Sequence, residues 1–186
     1  MTDASDETLM ARVQERDQQA FARLLDRHAQ SLRNFLYRFS QNTADADELC
    51  QETFLRVWQH AARWEPGRVQ FNTWLFRIGH NLAIDRLRKH RETISDQLPE
   101  QSDESAELSQ ALSREQARDT LRAEIAKLPE RQRTALLLCH FQGMSYQQAA
   151  DILEVSVEAL ESLIARARRR LKQTLKPLVK DIDIAS

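Results

Sequence analysis

The side chains that most often carry catalysis are present in this chain but do not assemble into a site. His28, His60, His80, His90 and His140 are scattered, three glycines build no phosphate loop, and no nucleophile sits in a known motif. Cys50 and Cys139 stand far apart, without a CxxC or a histidine at ligand spacing. They are expected to be two buried free thiols rather than metal ligands or a disulfide. No catalytic residue, metal, cofactor or small-molecule substrate is therefore expected, and the chain should not be an enzyme. The pattern that does imply chemistry is Ser145-Tyr-Gln-Gln-Ala-Ala-Asp-Ile-Leu-Glu-Val-Ser156, followed by a helical run ending Arg166-Ala-Arg-Arg-Arg170. Two helices across a tight turn, the second rich in arginine, form a helix-turn-helix, a device for placing a helix in a DNA major groove.

On that last helix Val157, Leu160, Ile164, Ala167 and Leu171 form one apolar stripe, packing against Ala149 and Ile152. The opposite face shows Glu158, Ser162, Ala165, Arg166 and Arg169, with Glu161 on its flank. Arginine forks onto guanine or phosphate, serine donates or accepts, and a carboxylate accepts from cytosine. The basic run from Arg166 to Lys172 is better suited to gripping backbone. The bland alternative is a solvated, charged surface helix.

Three glycines and four prolines in 186 residues leave little material for turns. Abundant Ala, Leu, Gln, Glu and Arg point to an all-α fold. No apolar run approaches the roughly 20 residues of a membrane span, and no signal-peptide pattern opens the chain, so a cytoplasmic location without membrane insertion is expected. The net charge of −1 conceals a division. Residues 1–91 hold 14 basic and 12 acidic side chains, and residues 113–186 hold 13 and 10. Between them, residues 92–112 carry no basic residue and six acids: Glu92, Asp96, Glu100, Asp103, Glu104 and Glu107. Two small helical domains, 1–91 and 113–186, are thus joined by an acidic flexible linker, and the second is the helix-turn-helix domain. The linker either mimics nucleic acid in a basic channel or is a solvated tether.

The first domain should contain four helices. Ser5, Asp17 and Thr43 can cap the first three, the first running to about Arg16. Pro66-Gly67 breaks the chain before a fourth helix from about Phe71 to Arg91. Phe71, Trp74, Leu75, Ile78 and Leu82 form its core stripe. Phe76, Ala83 and Leu87 lie toward the other side, among Arg77, Arg86, Arg88, Lys89 and Arg91. Aromatic and basic residues crowded on one flank suit the stacking of unpaired bases and the neutralising of phosphates. Packing of Trp74 and Phe76 between helices is the other reading. In the second domain, Ser113 or Asp119 starts a helix to Leu128, and Pro129 is the first residue of the next, which continues through Phe141 to Gly143. Ser145 and Ser156 cap the last two.

Together these segments resemble the extracytoplasmic-function (ECF) sigma factors, the smallest class of the sigma-70 family of bacterial RNA polymerase subunits. Asp45-Ala-Asp-Glu-Leu-Cys-Gln-Glu-Thr-Phe-Leu-Arg-Val-Trp58 is similar to the segment that docks on the polymerase clamp. Phe71-Asn-Thr-Trp-Leu-Phe-Arg-Ile-Gly-His-Asn-Leu-Ala-Ile-Asp-Arg-Leu-Arg88 is similar to the helix that melts and recognises the minus-ten element. Leu128-Pro-Glu-Arg-Gln-Arg-Thr-Ala, followed by Gly143-Met-Ser-Tyr146, is similar to the entry of the minus-thirty-five domain. The three occur in family order over nearly the whole chain.

The resemblance implies a non-enzymatic factor that binds core RNA polymerase, directs it to promoter DNA and helps melt the minus-ten element. Asp45, Asp47, Glu48, Gln51 and Glu52 become the expected polymerase contacts. Trp64 and the loop through Arg68 to Gln70 would capture a flipped minus-ten base, which Asn81 helps to hold. Trp74, Phe76 and Arg77 would lie beside the point of strand separation, with Arg86 and Arg88 on the same basic flank. Glu158, Glu161, Ser162, Ala165, Arg166 and Arg169 would face the minus-thirty-five element. Family members commonly carry basic residues where this chain has Glu161 and Leu163, which implies a shifted preference there or a weaker dependence on that element. An anti-sigma factor is a further partner implied by resemblance alone. The rival is a helix-turn-helix regulator that binds duplex DNA without polymerase, although no dimerisation coiled coil or ligand pocket is legible.

Overall fold

Helix boundaries follow the caps that the sequence offers. Ser5 accepts the Thr8 N–H at 3.2 Å and opens α1 (Asp6–Gln14). The Asp17 carboxylate accepts from Gln19 and Ala20 and opens α2 (Gln18–Ser40). The bond from Ala20, and then the one from the Arg12 side chain, hold its pKa below the ordinary carboxylate value. The third cap is Asn42 rather than Thr43. Its side chain accepts the Asp45 N–H at 3.1 Å, which makes Thr43 the first residue of α3 (Thr43–His60). A single 3₁₀ turn, Ala61–Arg63, enters the loop before α4 (Phe71–Ser95), which continues past the expected end at Arg91.

The computed structural model describes residues 4–95 and 114–183, so the expected linker lies, from residue 96 on, outside the described residues. The second half comprises α5 (Arg114–Ala126), α6 (Glu130–Leu136), α7 (Tyr146–Leu153) and α8 (Val157–Asp183). The described residues form eight α-helices and no strand, an all-α fold. Pro129 is the cap of α6 and not its first residue; its carbonyl accepts the Arg133 N–H at 2.9 Å. The helix expected to run through Phe141 widens after Leu136 into one π-helical turn, Leu137–Phe141. The Gln142 N–H reaches back to the Leu137 carbonyl, and Gly143 then reverses the chain at φ +64°. α7 opens with the full reciprocal cap: Gln148 N–H to Ser145 Oγ at 3.2 Å, and Ser145 N–H to Gln148 Oε1 at 2.9 Å.

α2, α3 and α4 pack around Leu24, Phe35, Phe39, Phe54, Phe71 and Phe76. At Gly79 an added Cβ would stand 2.9 Å from Leu32 Cδ1 and 3.4 Å from the Thr53 hydroxyl, so α4 meets α2 and α3 with no room for a side chain. α6, α7 and α8 enclose the second set of buried side chains, among them Leu138, Ala149, Ile152, Leu160 and Ile164. α7 also packs on α4, and the π turn packs on α2. α4 is therefore covered on more than one side. Phe76, expected on an open flank, faces α2 and is 1% exposed with its ring 5.4 Å from Phe35. Ala83 is buried with it. Of the two cysteines, Cys50 is buried and Cys139 only half-buried, and burial raises both thiol pKa values.

His80 sits on the same helix, 7% exposed and edge-on to Phe39 at 6.0 Å. Burial, and then the charge of Arg131, push its pKa down from 6.5 to about 4. The folded chain therefore binds fewer protons than the unfolded chain between those values. Stability is complete above the unfolded pKa and falls as pH drops through the window. Replacing His80 by Gln is expected to flatten the pH dependence of urea unfolding, by on the order of 1–2 kcal/mol between roughly pH 6.5 and 5. Equal slopes for the two proteins would mean that the imidazole accepts a proton inside the fold.

Candidate nucleic-acid interface

Two surfaces carry the residues expected to touch nucleic acid. The first is built by the loop after α3 and by α4. Its loop is held from beneath by α1: Gln14 Nε2 donates to the carbonyls of Ala61 at 3.1 Å and Trp64 at 2.7 Å. Arg16 donates to the Trp58 carbonyl and stacks on the Trp58 ring at 5.5 Å. Neither residue belongs to a recognisable motif, because a clamp between distant segments leaves no periodic trace in sequence. Trp64 itself is 3% exposed, and its indole N–H donates to the Val69 carbonyl at 3.1 Å. Within the loop expected to capture a base, it is a buried strut that closes the loop on itself. Phe76 is likewise a core residue and offers no face to a base.

What remains outward here is Arg68, Asn81 and Arg88, with Trp74 and Arg77 partly covered. Arg68 pairs with Glu65 and Arg88 with Asp85, both on exposed, easily exchanged contacts. Trp74 packs 6.4 Å from Phe71. Arg77 donates to the backbone carbonyl of Asp151 in α7.

Arg86 departs most from expectation. Its guanidinium reaches Asp45 at 2.9 Å and Glu48 at 2.9 Å, two of the expected polymerase contacts. The pairing raises the Arg86 pKa and lowers that of Glu48. Arg86 thus bridges two carboxylates of α3. Asp47 pairs with Arg33 of α2, which holds its carboxyl below the usual range. Glu52 pairs with Arg56 at 2.9 Å, whereas Gln51 is exposed. These side chains border a groove of about 510 Å³ between α3 and α4, lined by Glu48, Gln51, Glu52, Arg86 and Lys89 among others. Across α3 a more apolar groove of about 630 Å³ runs between Phe21, Leu25, Leu55 and Trp58. α3 therefore presents Gln51 and Leu55 between two grooves.

The second surface is α8. Glu158, Glu161, Ser162, Ala165, Arg166 and Arg169 are all exposed, while Leu160, Ile164 and Ala167 are buried beneath them. Ser156 accepts the Ala159 N–H at 3.2 Å and starts the helix as expected. Glu158 is held below the usual carboxylate range by a hydrogen bond from its own N–H and then by one from Ser156. It is partly a capping group. The Ser162 hydroxyl is turned back onto the Glu158 carbonyl at 3.0 Å. Leu163, paired in the sequence reading with Glu161, is half-buried against the core and lies off the reading face. Of the two, only Glu161 is exposed. Among the described residues no group of His, Cys, Asp and Glu could hold a metal ion, and no helix is long and apolar enough to cross a membrane.

Residues 24–93 match the family model of sigma-70 region 2, and residues 118–171 match that of sigma-70 region 4. The chain is 34% identical to the RNA polymerase sigma factor NccH of Alcaligenes xylosoxydans xylosoxydans, over 95% of its own length and 98% of the relative's. It is 31% identical to the RNA polymerase sigma-H factor of Pseudomonas aeruginosa, over 97% and 99% of the two chains. The ECF sigma factor SigW of Bacillus subtilis is 30% identical, over 89% and 94%. Among solved structures, CnrH in complex with the cytosolic domain of CnrY superposes with a TM-score of 0.71 at 30% identity, covering 92% of this chain and 97% of that one. The sigma factor RpoE bound to the anti-sigma factor NepR, from Bartonella quintana, gives 0.69 at 26% identity, covering 84% and 96%. With two sigma regions in order and relatives spanning its whole length, the chain belongs to the ECF sigma factors of the sigma-70 family.

Proposed function

We propose that this chain binds core RNA polymerase in the cytoplasm, directs it to a set of promoters and stabilises the melted minus-ten strand, without catalysing a reaction itself. One observation carries the reading: an uncovered α8 face, on a helix-turn-helix, accompanies a second, separate polar surface on α4 in one short sigma-family chain. In this reading the α3 ridge around Gln51, flanked by Asp45, Asp47, Glu48 and Glu52, meets polymerase. Arg68, Trp74, Arg77, Asn81 and Arg88 follow the displaced strand, with Trp64 and Phe76 supporting them from within. Arg86 orients the polymerase-binding carboxylates. Glu161, Ala165, Arg166 and Arg169 face the minus-thirty-five major groove, with Glu158 and Ser162 fixing the start of the helix. The acidic segment would thread through polymerase near the RNA exit path. The relatives solved with CnrY and NepR support an anti-sigma factor as the regulator of this chain as well.

Run-off transcription with purified core polymerase and a promoter library tests this directly. Discrete start sites that depend on the added chain are expected. Failure to bind core at all would remove the sigma reading and leave the polymerase-independent regulator. Glu161→Arg is expected to change the minus-thirty-five preference while the minus-ten preference stays as it was. A library profile identical to that of the parent would exclude Glu161 from base reading.

A further inference from the structure

The loop from Trp64 to Gln70, assigned above to the capture of a minus-ten base, is shaped from within and placed from outside. The Trp64 indole on the Val69 carbonyl, and the Arg68 N–H on the Glu65 carbonyl at 3.3 Å, join loop atoms to one another. Such bonds give the loop a form but no position. Position is supplied by α1, which lies before residue 24, where the match to sigma-70 region 2 begins. Leu9, Met10 and Val13 are fully buried and fix this helix to the core. Both Nε2 hydrogens of Gln14 are spent at the loop's entry, one on the Ala61 carbonyl and one on that of Trp64. They staple the first residue of the 3₁₀ turn to the residue that follows its last. At the loop's exit, Asp6 accepts from Arg27 at 2.8 Å and from His28 at 2.7 Å. The His28 ring stands 5.2 Å from that of Phe71, the first residue of α4.

At Arg16 the tether outweighs local backbone strain. Arg16 follows Glu15, the cap of α1, and adopts φ +67°, the left-handed conformation for which helix ends favour glycine. Glycine would relieve the backbone there. It would also remove the guanidinium, which donates to the Trp58 carbonyl at 3.0 Å and lies over the Trp58 ring. That carbonyl belongs to the last turn of α3, where carbonyls lack a partner within the helix and a cation is favoured. The strained residue is thus the one whose side chain reaches the segment leading into the loop.

We propose that α1 is the positioning element of the minus-ten loop, and that Gln14 and Arg16 set how strictly its captured base is selected without touching DNA. The proposal rests on the sigma reading above and adds two residues that govern specificity from behind the site. Discrimination between bases needs a pocket held in one geometry, because a loop free to shift admits a wrong base by small rearrangements. Two amide hydrogens and a guanidinium restrict that movement at the point where the chain leaves α3.

Run-off transcription tests it on four promoters that differ only at the minus-ten position most strongly selected by the parent chain. Gln14→Met keeps the length of the side chain and removes both donors. It is expected to reduce the preference among the four bases roughly tenfold, while core affinity and the minus-thirty-five preference stay as in the parent. Arg16→Gly relieves the backbone, so its thermal midpoint should not fall, yet the same preference should weaken by roughly threefold. Stability and selectivity then move apart, which a merely structural role does not produce. A preference unchanged in both variants, or output lowered equally at every promoter position, would overturn the proposal and leave the sigma reading standing. A parent chain that does not bind core polymerase would instead strike the sigma reading itself.

Discussion

The contact on which the rest depends is the seam at Gly79. α4 approaches α2 so closely that a Cβ would stand 2.9 Å from a methyl of Leu32, a side chain that is itself fully buried. Close-packed interiors do not absorb such an intrusion without shifting a helix. The seam fixes the height and rotation of α4, and both decide what the helix presents elsewhere. Leu75, Phe76 and Leu82 turn into the core, Asn81 turns to solvent, and Arg77 meets α7. A glycine in mid-helix sacrifices about 1 kcal/mol of helix propensity relative to alanine. Here the loss is offset by a helix packed tightly enough to hold polar groups in register on its far side.

The elements with local causes were legible in the chain. Caps, the capping box of Ser145 and Gln148, the break at Pro66-Gly67 and the apolar stripe of α8 are set within a few residues, and each lies where its chemistry put it. Misplaced features have distant causes. Asn42 displaced Thr43 as a cap because either residue can accept the same N–H, and packing of α2 on α3 selects the entry angle. Phe76 looked outward because helical spacing reveals one buried stripe, and α4 has two neighbours. Arg86 looked like a phosphate ligand because Asp45 and Glu48 lie 41 and 38 residues away in sequence. The burial of Trp64 was not legible because its partner, the Val69 carbonyl, is a backbone atom with no signature.

These pairings also explain how a chain of net charge −1 can belong to a family that works on nucleic acid. Much of its positive charge is matched internally: Arg33 to Asp47, Arg86 to Asp45 and Glu48, Arg27 to Asp6. Exposed pairs of this kind stabilise little, but they hold side chains in place and leave the first surface only mildly basic. Counterion release, which dominates the affinity of most DNA-binding proteins, is then weak for that surface alone. In the proposed reading, affinity comes from engaging two sites at once on a common scaffold, where the second contact is made at high effective concentration.

α8 shows how far that division of labour goes. Acidic Glu158 and Glu161 occupy its first two turns, and Arg166, Arg168, Arg169 and Arg170 follow. A major-groove helix usually leads with its N-terminal turns, because these reach the bases. With carboxylates there, the leading end gains nothing from phosphates and is penalised unless each acid finds a donor such as the cytosine amino group. The arginines that follow are a turn or more further along, placed for backbone. Between them Leu163 is turned inward, and the exposed Ser162 and Ala165 carry no charge. Grip and reading are therefore separated along the helix. In the proposed reading, a helix arranged this way discriminates by what it repels as much as by what it holds, and polymerase rather than its own charge brings it to the groove.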